Sequence, residues 1–136
     1  MSNGERPTCN LLQLKVLGYR LSVCQCAEVP ADLLVGGFCC IARTDDEISL
    51  VCETARVPEG AISREDGWRA FKVEGPLDFS LVGILAKLAS ALAAAKVPLF
   101  AISTFDTDYI LVKGEQLERA IAAFVDECCL VDDSDA

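Results

Sequence analysis

The stretch from Trp68 to Val112 constrains the fold more tightly than any other part of the chain. Leu81, Ile84, Leu85, Leu88 and Leu92 recur at helical spacing with alanines between them, so a helix running to about Ala95 lays one narrow apolar stripe on a sheet. Strand patterns flank it. Trp68 to Val73 alternates, with Phe71 and Val73 on one side, and Glu74, Gly75 and Pro76 stop it. After the helix, Pro98 permits a strand from Val97 to Ser103, Thr104 to Thr107 turns the chain, and Asp108 to Val112 returns it until Gly114. Leu117, Ile121, Phe124, Val125 and Cys128 then mark a last helix. Strand, helix, strand, strand, helix is one strand short of the ferredoxin-like split βαβ arrangement. Either Cys129 to Val131 supplies the missing strand or an N-terminal strand crosses over to that edge. The second is preferred, because the C-terminal candidate is short and runs into Asp132 and Asp133.

The first half reads as strands and turns. Leu12, Leu14 and Val16 share one face, as do Tyr19, Leu21 and Val23, and Gly18 between them suggests a hairpin. Ala31 to Val35, bracketed by Pro30 and Gly36, has room for a single helical turn. Phe38 to Arg43 and Ile48 to Cys52, joined through Thr44, Asp45 and Asp46, form a second hairpin. Val57 to Gly67, with Pro58, Gly60 and Ser63 among charges, reads as a connector. The division expected is a flexible N-terminus over 1–10, halves over 11–62 and 63–128, and an acidic tail over 129–136, frayed from Asp132 to Ala136.

With 136 residues the chain has room for one compact core or two small fused halves. Twelve basic residues against twenty-one acidic ones, without a basic cluster, argue against a nucleic-acid partner. Asp78, Lys87, Lys96 and Pro98 interrupt the longest apolar stretch, which therefore reads as core and not as a membrane span. Met1 to Pro7 lacks the apolar core of a signal peptide, so a cytoplasmic protein is expected, with its eight cysteines reduced. Cys39, Cys40 and Cys52 fall inside strands, where free cysteine packs as a small hydrophobe. Adjacent Cys39 and Cys40 point to opposite faces, and with no histidine in the chain no metal site is expected.

The lack of histidine also removes the commonest general base, and no phosphate-cradling glycine loop occurs, so neither catalytic residues nor a cofactor are expected. What remains is a binding constellation of two pieces. Gly75 to Ser80 feeds a helix N-terminus, where Asp78 or Ser80 caps and free N–H groups gather for a carboxylate; Phe79 belongs to this cradle, and Gly83 leaves space beside it. Ser103, Thr104, Phe105, Asp106, Thr107 and Asp108 end the strand after that helix, which brings them back beside its start. Asp108 or Asp106 would hold an ammonium group, Ser103 and Thr104 complete a polar shell, and Phe105 covers an aliphatic part. The plainer readings are caps at Asp78 and Ser80, an ordinary hairpin turn at Thr104 to Thr107, and packing for Trp68.

GPLDFSLVGILAKLASAL followed by VPLFAISTFDTDYILV, with RTDDEISLVCE and VPEG before them, resembles the ACT-like family of small proteins related to the eukaryotic cytosolic arginine sensor. The resemblance covers about residues 11 to 126. It implies two tandem ACT-like halves, each a ferredoxin-like βαββαβ unit of α+β class with an antiparallel sheet and helices on one face. It further implies an amino-acid ligand, a homodimer, and a regulatory or sensor role without catalysis. Ligand contacts in the family match Asp78 to Gly83 and Thr104, Phe105 and Asp108 here; Asp78 stands where the sensor has glycine, and Ser80 where it has an acidic residue. The alternative is a structural or interaction module whose turn stays empty.

Overall fold

The computed structural model describes residues 12–74, 83–127 and 129–136. The N-terminus expected to be flexible over 1–10 lies outside them, as does Cys128. Among the described residues, eight strands and two α-helices run in the order β1 (Leu12–Val16), β2 (Leu21–Cys26), β3 (Cys39–Arg43), β4 (Ile48–Glu53), β5 (Ser63–Glu74), α1 (Ile84–Ala94), β6 (Phe100–Ser103), β7 (Asp108–Lys113), α2 (Leu117–Asp126) and β8 (Cys129–Asp132). They form two compact units: a larger one, from the described residues of Met1–Leu17 and Ala70–Ala136, and a smaller one, Gly18–Arg69.

In the larger unit the strands follow the order β6-β7-β5-β1-β8. β1 runs antiparallel to β5, with Leu14 opposite Val73 and Val16 opposite Phe71, while β8 lies parallel to β1, with Leu12 opposite Cys129. Both strands considered for the open edge are therefore used. β1 takes the place beside β5 and β8 adds beyond it, so the pairing is mixed where an antiparallel sheet was expected. The candidate at Cys129 to Val131 is a strand, Cys129–Asp132, and in the tail expected to fray beyond it Asp135 reaches back to Lys15 at 3.1 Å. The alternating burial of β1 agrees with the stripe read from Leu12, Leu14 and Val16, but β1 pairs with β5 and β8 in place of the expected hairpin with β2.

The core of this unit joins Leu14, Val16, Phe71 and Val73 to Leu88 and Leu92 of α1, Ile110 and Val112 of β7, and Phe124 of α2. The rings of Phe71 and Phe124 meet edge to face, centroids 4.9 Å apart, an arrangement that adds about 0.5–1.5 kcal/mol to the burial of both.

The smaller unit pairs its strands in the order β3-β4-β2-β5, antiparallel throughout. β3 and β4 form the expected hairpin, and Ala31–Leu34 forms the expected single turn, a 3-10 turn. A second 3-10 turn covers Thr54–Arg56. The second part of the expected connector is strand: β5 begins at Ser63 and pairs with β2 from Gln25↔Ser63 to Leu21↔Trp68. Between those pairs the register shifts, and Gly67, at φ 88°, takes the left-handed backbone that such a bulge requires. Polar spacing at Ser63–Gly67 read as loop because most of these side chains are exposed.

β2 agrees only in part with the alternation read from Tyr19, Leu21 and Val23: Leu21 is fully buried and Val23 half-buried. Cys24 and Cys26 enter the core with Leu33, Leu50 and Cys52, and Ser22 on the same face is fully buried. Ser22 donates to Asp66 Oδ1 at 2.6 Å, so its oxygen accepts from the Thr54 hydroxyl at 2.8 Å, which satisfies the buried group.

Candidate functional site

All the described site residues lie in the larger unit, at one end of its strands. α1 opens at Gly83, the residue in the N-cap position, with φ 86° and open space where a Cβ would stand. No side chain caps the helix there; the Lys87 N–H reaches the Gly83 carbonyl at 2.8 Å as the first helical bond. A glycine in left-handed backbone thus stands at the start of the described helix, and Asp78 and Ser80, the caps expected, lie with Phe79 outside the described residues.

The second piece is a closed hairpin end. β6 and β7 pair from Phe100↔Leu111 to Ser103↔Asp108. Ser103 Oγ donates to Asp108 Oδ1 at 2.7 Å, the Thr104 N–H reaches the Thr107 carbonyl at 2.8 Å, and the Thr104 hydroxyl donates to that same carbonyl at 3.0 Å. Phe105 projects from the tip, 92% exposed.

Thr107 carries the connection that sequence reading missed. Its hydroxyl donates to the Val73 carbonyl at 2.7 Å from a buried position, fastening the turn to the end of β5. The chain leaves β5 at Glu74 and enters α1 at Gly83, and α1 returns along the sheet in the opposite sense. Ser103, Thr104, Phe105 and Asp108 therefore share the end of the sheet from which the segment 75–82 departs and at which α1 begins. A threonine inside a polar turn gives little sign of such a role; its place next to the first residue of β7 is the only hint.

Elsewhere in this unit a groove of about 450 Å³ runs between the helices, lined by Ala91, Ala94, Ala122 and Ala123 with Lys87 and Arg119. It lies on the helix side, apart from the turn. Burial pushes the described thiols, Cys24, Cys26, Cys39, Cys40, Cys52 and Cys129, above the ordinary range, Cys52 to about 11. Among the described residues no group of three or more His, Cys, Asp or Glu is arranged to hold a metal ion. None of their helices is long and apolar enough to cross a membrane.

Residues 63–126 match the family model described as ACT domain, and residues 20–60 match a second model described as an N-terminal domain. A crystal structure of a protein from Agrobacterium tumefaciens is 33% identical, with 89% of this chain and 92% of that one covered and a TM-score of 0.82. A Vibrio cholerae protein of unknown function, described as a possible transport protein, is 19% identical over 86% of this chain and 90% of that one, TM-score 0.69. The ligand-free regulatory subunit of aspartate kinase from Thermus thermophilus shares the fold at 11% identity, over 84% and 96% of the two chains, TM-score 0.61.

Proposed function

Because the chain belongs to the ACT-like family, with its ACT domain over residues 63–126, we propose that it is a non-catalytic, regulatory amino-acid-binding protein. The observation that carries this reading is the bond from Thr107 to the Val73 carbonyl, 2.7 Å, which holds the turn at the sheet end where α1 begins. There the open space at Gly83 gives a ligand backbone access to the start of the helix, whose free N–H groups suit a carboxylate. Asp108, half-buried and already oriented by Ser103, is the anchor for an α-ammonium group. Asp78, Phe79 and Ser80 complete the proposed cradle, and the exposed Phe105 folds over an aliphatic side chain.

Two tandem ACT-like halves belong to the same reading. In each unit the strands follow one order when numbered along the chain, β3-β4-β2-β5 in the smaller and β6-β7-β5-β1 in the larger, with the N-terminal β1 standing fourth. The 3-10 turns Ala31–Leu34 and Thr54–Arg56 occupy the places of the two helices in the smaller one. A homodimer in the cytoplasm is the assembly and location proposed. The regulatory part of the proposal is supported by the Thermus thermophilus neighbour, which is a regulatory subunit of aspartate kinase.

A melting screen against the twenty amino acids tests the proposal. A binder at a hundredfold excess over its dissociation constant adds about 2.7 kcal/mol. Calorimetric titration of Asp108→Ala should then abolish the heat; unchanged binding would refute the anchor, and a flat screen would refute the ligand. One observation favours the second reading, a module used for assembly alone: the hydroxyls of Ser103 and Thr104 already have partners within the turn. That reading predicts the flat screen together with a stable dimer.

A further inference from the structure

Outside the proposed ligand site, the smaller unit brings two thiols face to face. Cys39 on β3 stands opposite Cys52 on β4. The hairpin fixes the kind of pair they form. The Thr44 N–H reaches the Glu47 carbonyl at 2.9 Å, so Thr44 and Glu47 are the closing hydrogen-bonded pair. Antiparallel pairs alternate from there through Arg43↔Ile48 to Cys39↔Cys52, which falls in a non-hydrogen-bonded position. Residues opposed in that way have Cα atoms about 4.5 Å apart and side chains on one face. A disulfide spans Cα separations of about 4.4–6.8 Å, so the pair can close without moving the strands.

No other described thiol has this placement. Cys40 stands opposite Val51, Cys24 opposite Leu50 and Cys26 opposite Ile48. The two opposed sulfurs also differ in access: Cys52 is fully buried, whereas Cys39 is half-exposed. Burial holds both thiols above the ordinary range, and the nearby Arg56 guanidinium offsets only part of that rise. Arg56 is itself fixed by bonds to the carbonyls of Gly36 and Asp32, both at 2.7 Å, and of Val35 at 3.1 Å. Of the opposed pair, the partly exposed Cys39 is the sulfur that a reagent in water reaches first.

We propose that Cys39 and Cys52 are an oxidisable pair, closing to a cross-strand disulfide when the protein meets a hydroperoxide. The Cys39 thiolate attacks the terminal oxygen of the peroxide; the O–O bond breaks, and Cys39 becomes a sulfenic acid as an alkoxide or hydroxide departs and takes up a proton. Cys52 then attacks the Cys39 sulfur, the S–O bond breaks, and the hydroxide released leaves as water with the Cys52 proton. Two thiols are oxidised and one peroxide is reduced. The product staples β3, which ends the strand order of this unit, to β4.

The full chain, reduced and then treated with hydrogen peroxide, is alkylated and digested for mass spectrometry. The expected product is a peptide pair linked through Cys39 and Cys52, lighter by two hydrogens than the sum of its thiol forms. In Cys52→Ala, dimedone should trap a sulfenic acid on Cys39 at a level well above wild type; in Cys39→Ser the link should vanish and Cys52 stay alkylatable. If Cys52→Ala does not fold, Cys52→Val, closer in volume, takes its place. A linkage spread over the other cysteines, a Cys52 that remains a thiol at full oxidation, or equal dimedone labelling in wild type and the Cys52 variant would each overturn the proposal.

Discussion

Replacing Thr107 by valine keeps the side chain's shape and removes one atom's chemistry, which isolates the bond from its hydroxyl to the Val73 carbonyl. Val73 is 1% exposed and Thr107 8%, so water has little access to a carbonyl left without this donor. Stranding a buried acceptor costs about 1–3 kcal/mol. Thr107→Ser is the control: it keeps the donor and loses one methyl group, about 0.8 kcal/mol. Valine should therefore be the worse substitution although it fits better. In urea, with a slope of roughly 2 kcal/mol per molar, a loss of about 2 kcal/mol moves the midpoint down by about 1 M with the slope unchanged. Hydrogen exchange gives a local reading, because the Thr104 amide bonded to the Thr107 carbonyl should lose protection in Thr107→Val and keep it in Thr107→Ser. A valine variant as stable as wild type, or a serine variant equally damaged, would show that the hydroxyl does not hold the turn to β5.

Gly83→Ala should lower stability by about 1–2 kcal/mol through its positive φ alone, since nothing stands near a Cβ there, and Gly83→Asn should cost less because asparagine tolerates this backbone; thermal melts compare the two. Arg56→Ala removes three bonds to the carbonyls of Asp32, Val35 and Gly36, and should cost about 1–2 kcal/mol and speed limited proteolysis within 31–37. The raised thiols give an alkaline limb to stability. Below an unfolded value near 9 both states hold the proton; above it the unfolded chain ionises first, so stability falls from about pH 9 and levels once the pH passes the folded value of Cys52, about 11. Urea midpoints measured across that range should decline, and Cys52→Ala should flatten the decline; a flat wild-type profile would contradict the burial of these thiols.

The larger unit was readable where one period ran long enough. Helical spacing is clear in Ile84, Leu85, Leu88 and Leu92, and the alternation of Phe71 with Val73 likewise matches the sides that are buried. Partner choice was readable only in part. A split βαβ arrangement short of one strand called for an N-terminal strand at its edge, and β1 fills that place beside β5, but Gly18 also suggested a hairpin with β2, and the addition of β8 beyond β1 depends on residues far along the chain. On β2, cysteine and serine carry one buried face beside a fully buried Leu21, so a scale that follows large aliphatic residues saw only part of what is inward. The polar start of β5 hid a strand whose side chains are mostly in water. For the candidate site, residue types pointed to the turn at Ser103 to Asp108, and hydrogen bonds close a turn there. Its attachment through Thr107 could not be read, because the acceptor is a backbone carbonyl, and every residue has one.

The place of β1 between β5 and β8 sets a sequence of events in time. Gln13 meets Glu74 and Leu12 meets Cys129, so two of the ladders that complete the larger unit join positions separated by much of the chain. Contacts of that kind are made late and slowly, since long loops must close before they are rewarded. During synthesis the hairpin of β3 and β4 can form while the rest is still being made, but β1 must wait, unpaired, for β5, and β8 must wait for both. A chain halted before residue 129 would leave one side of β1 open to a neighbouring copy, so truncation at the C-terminus should show itself first as association between molecules and only later as loss of the fold.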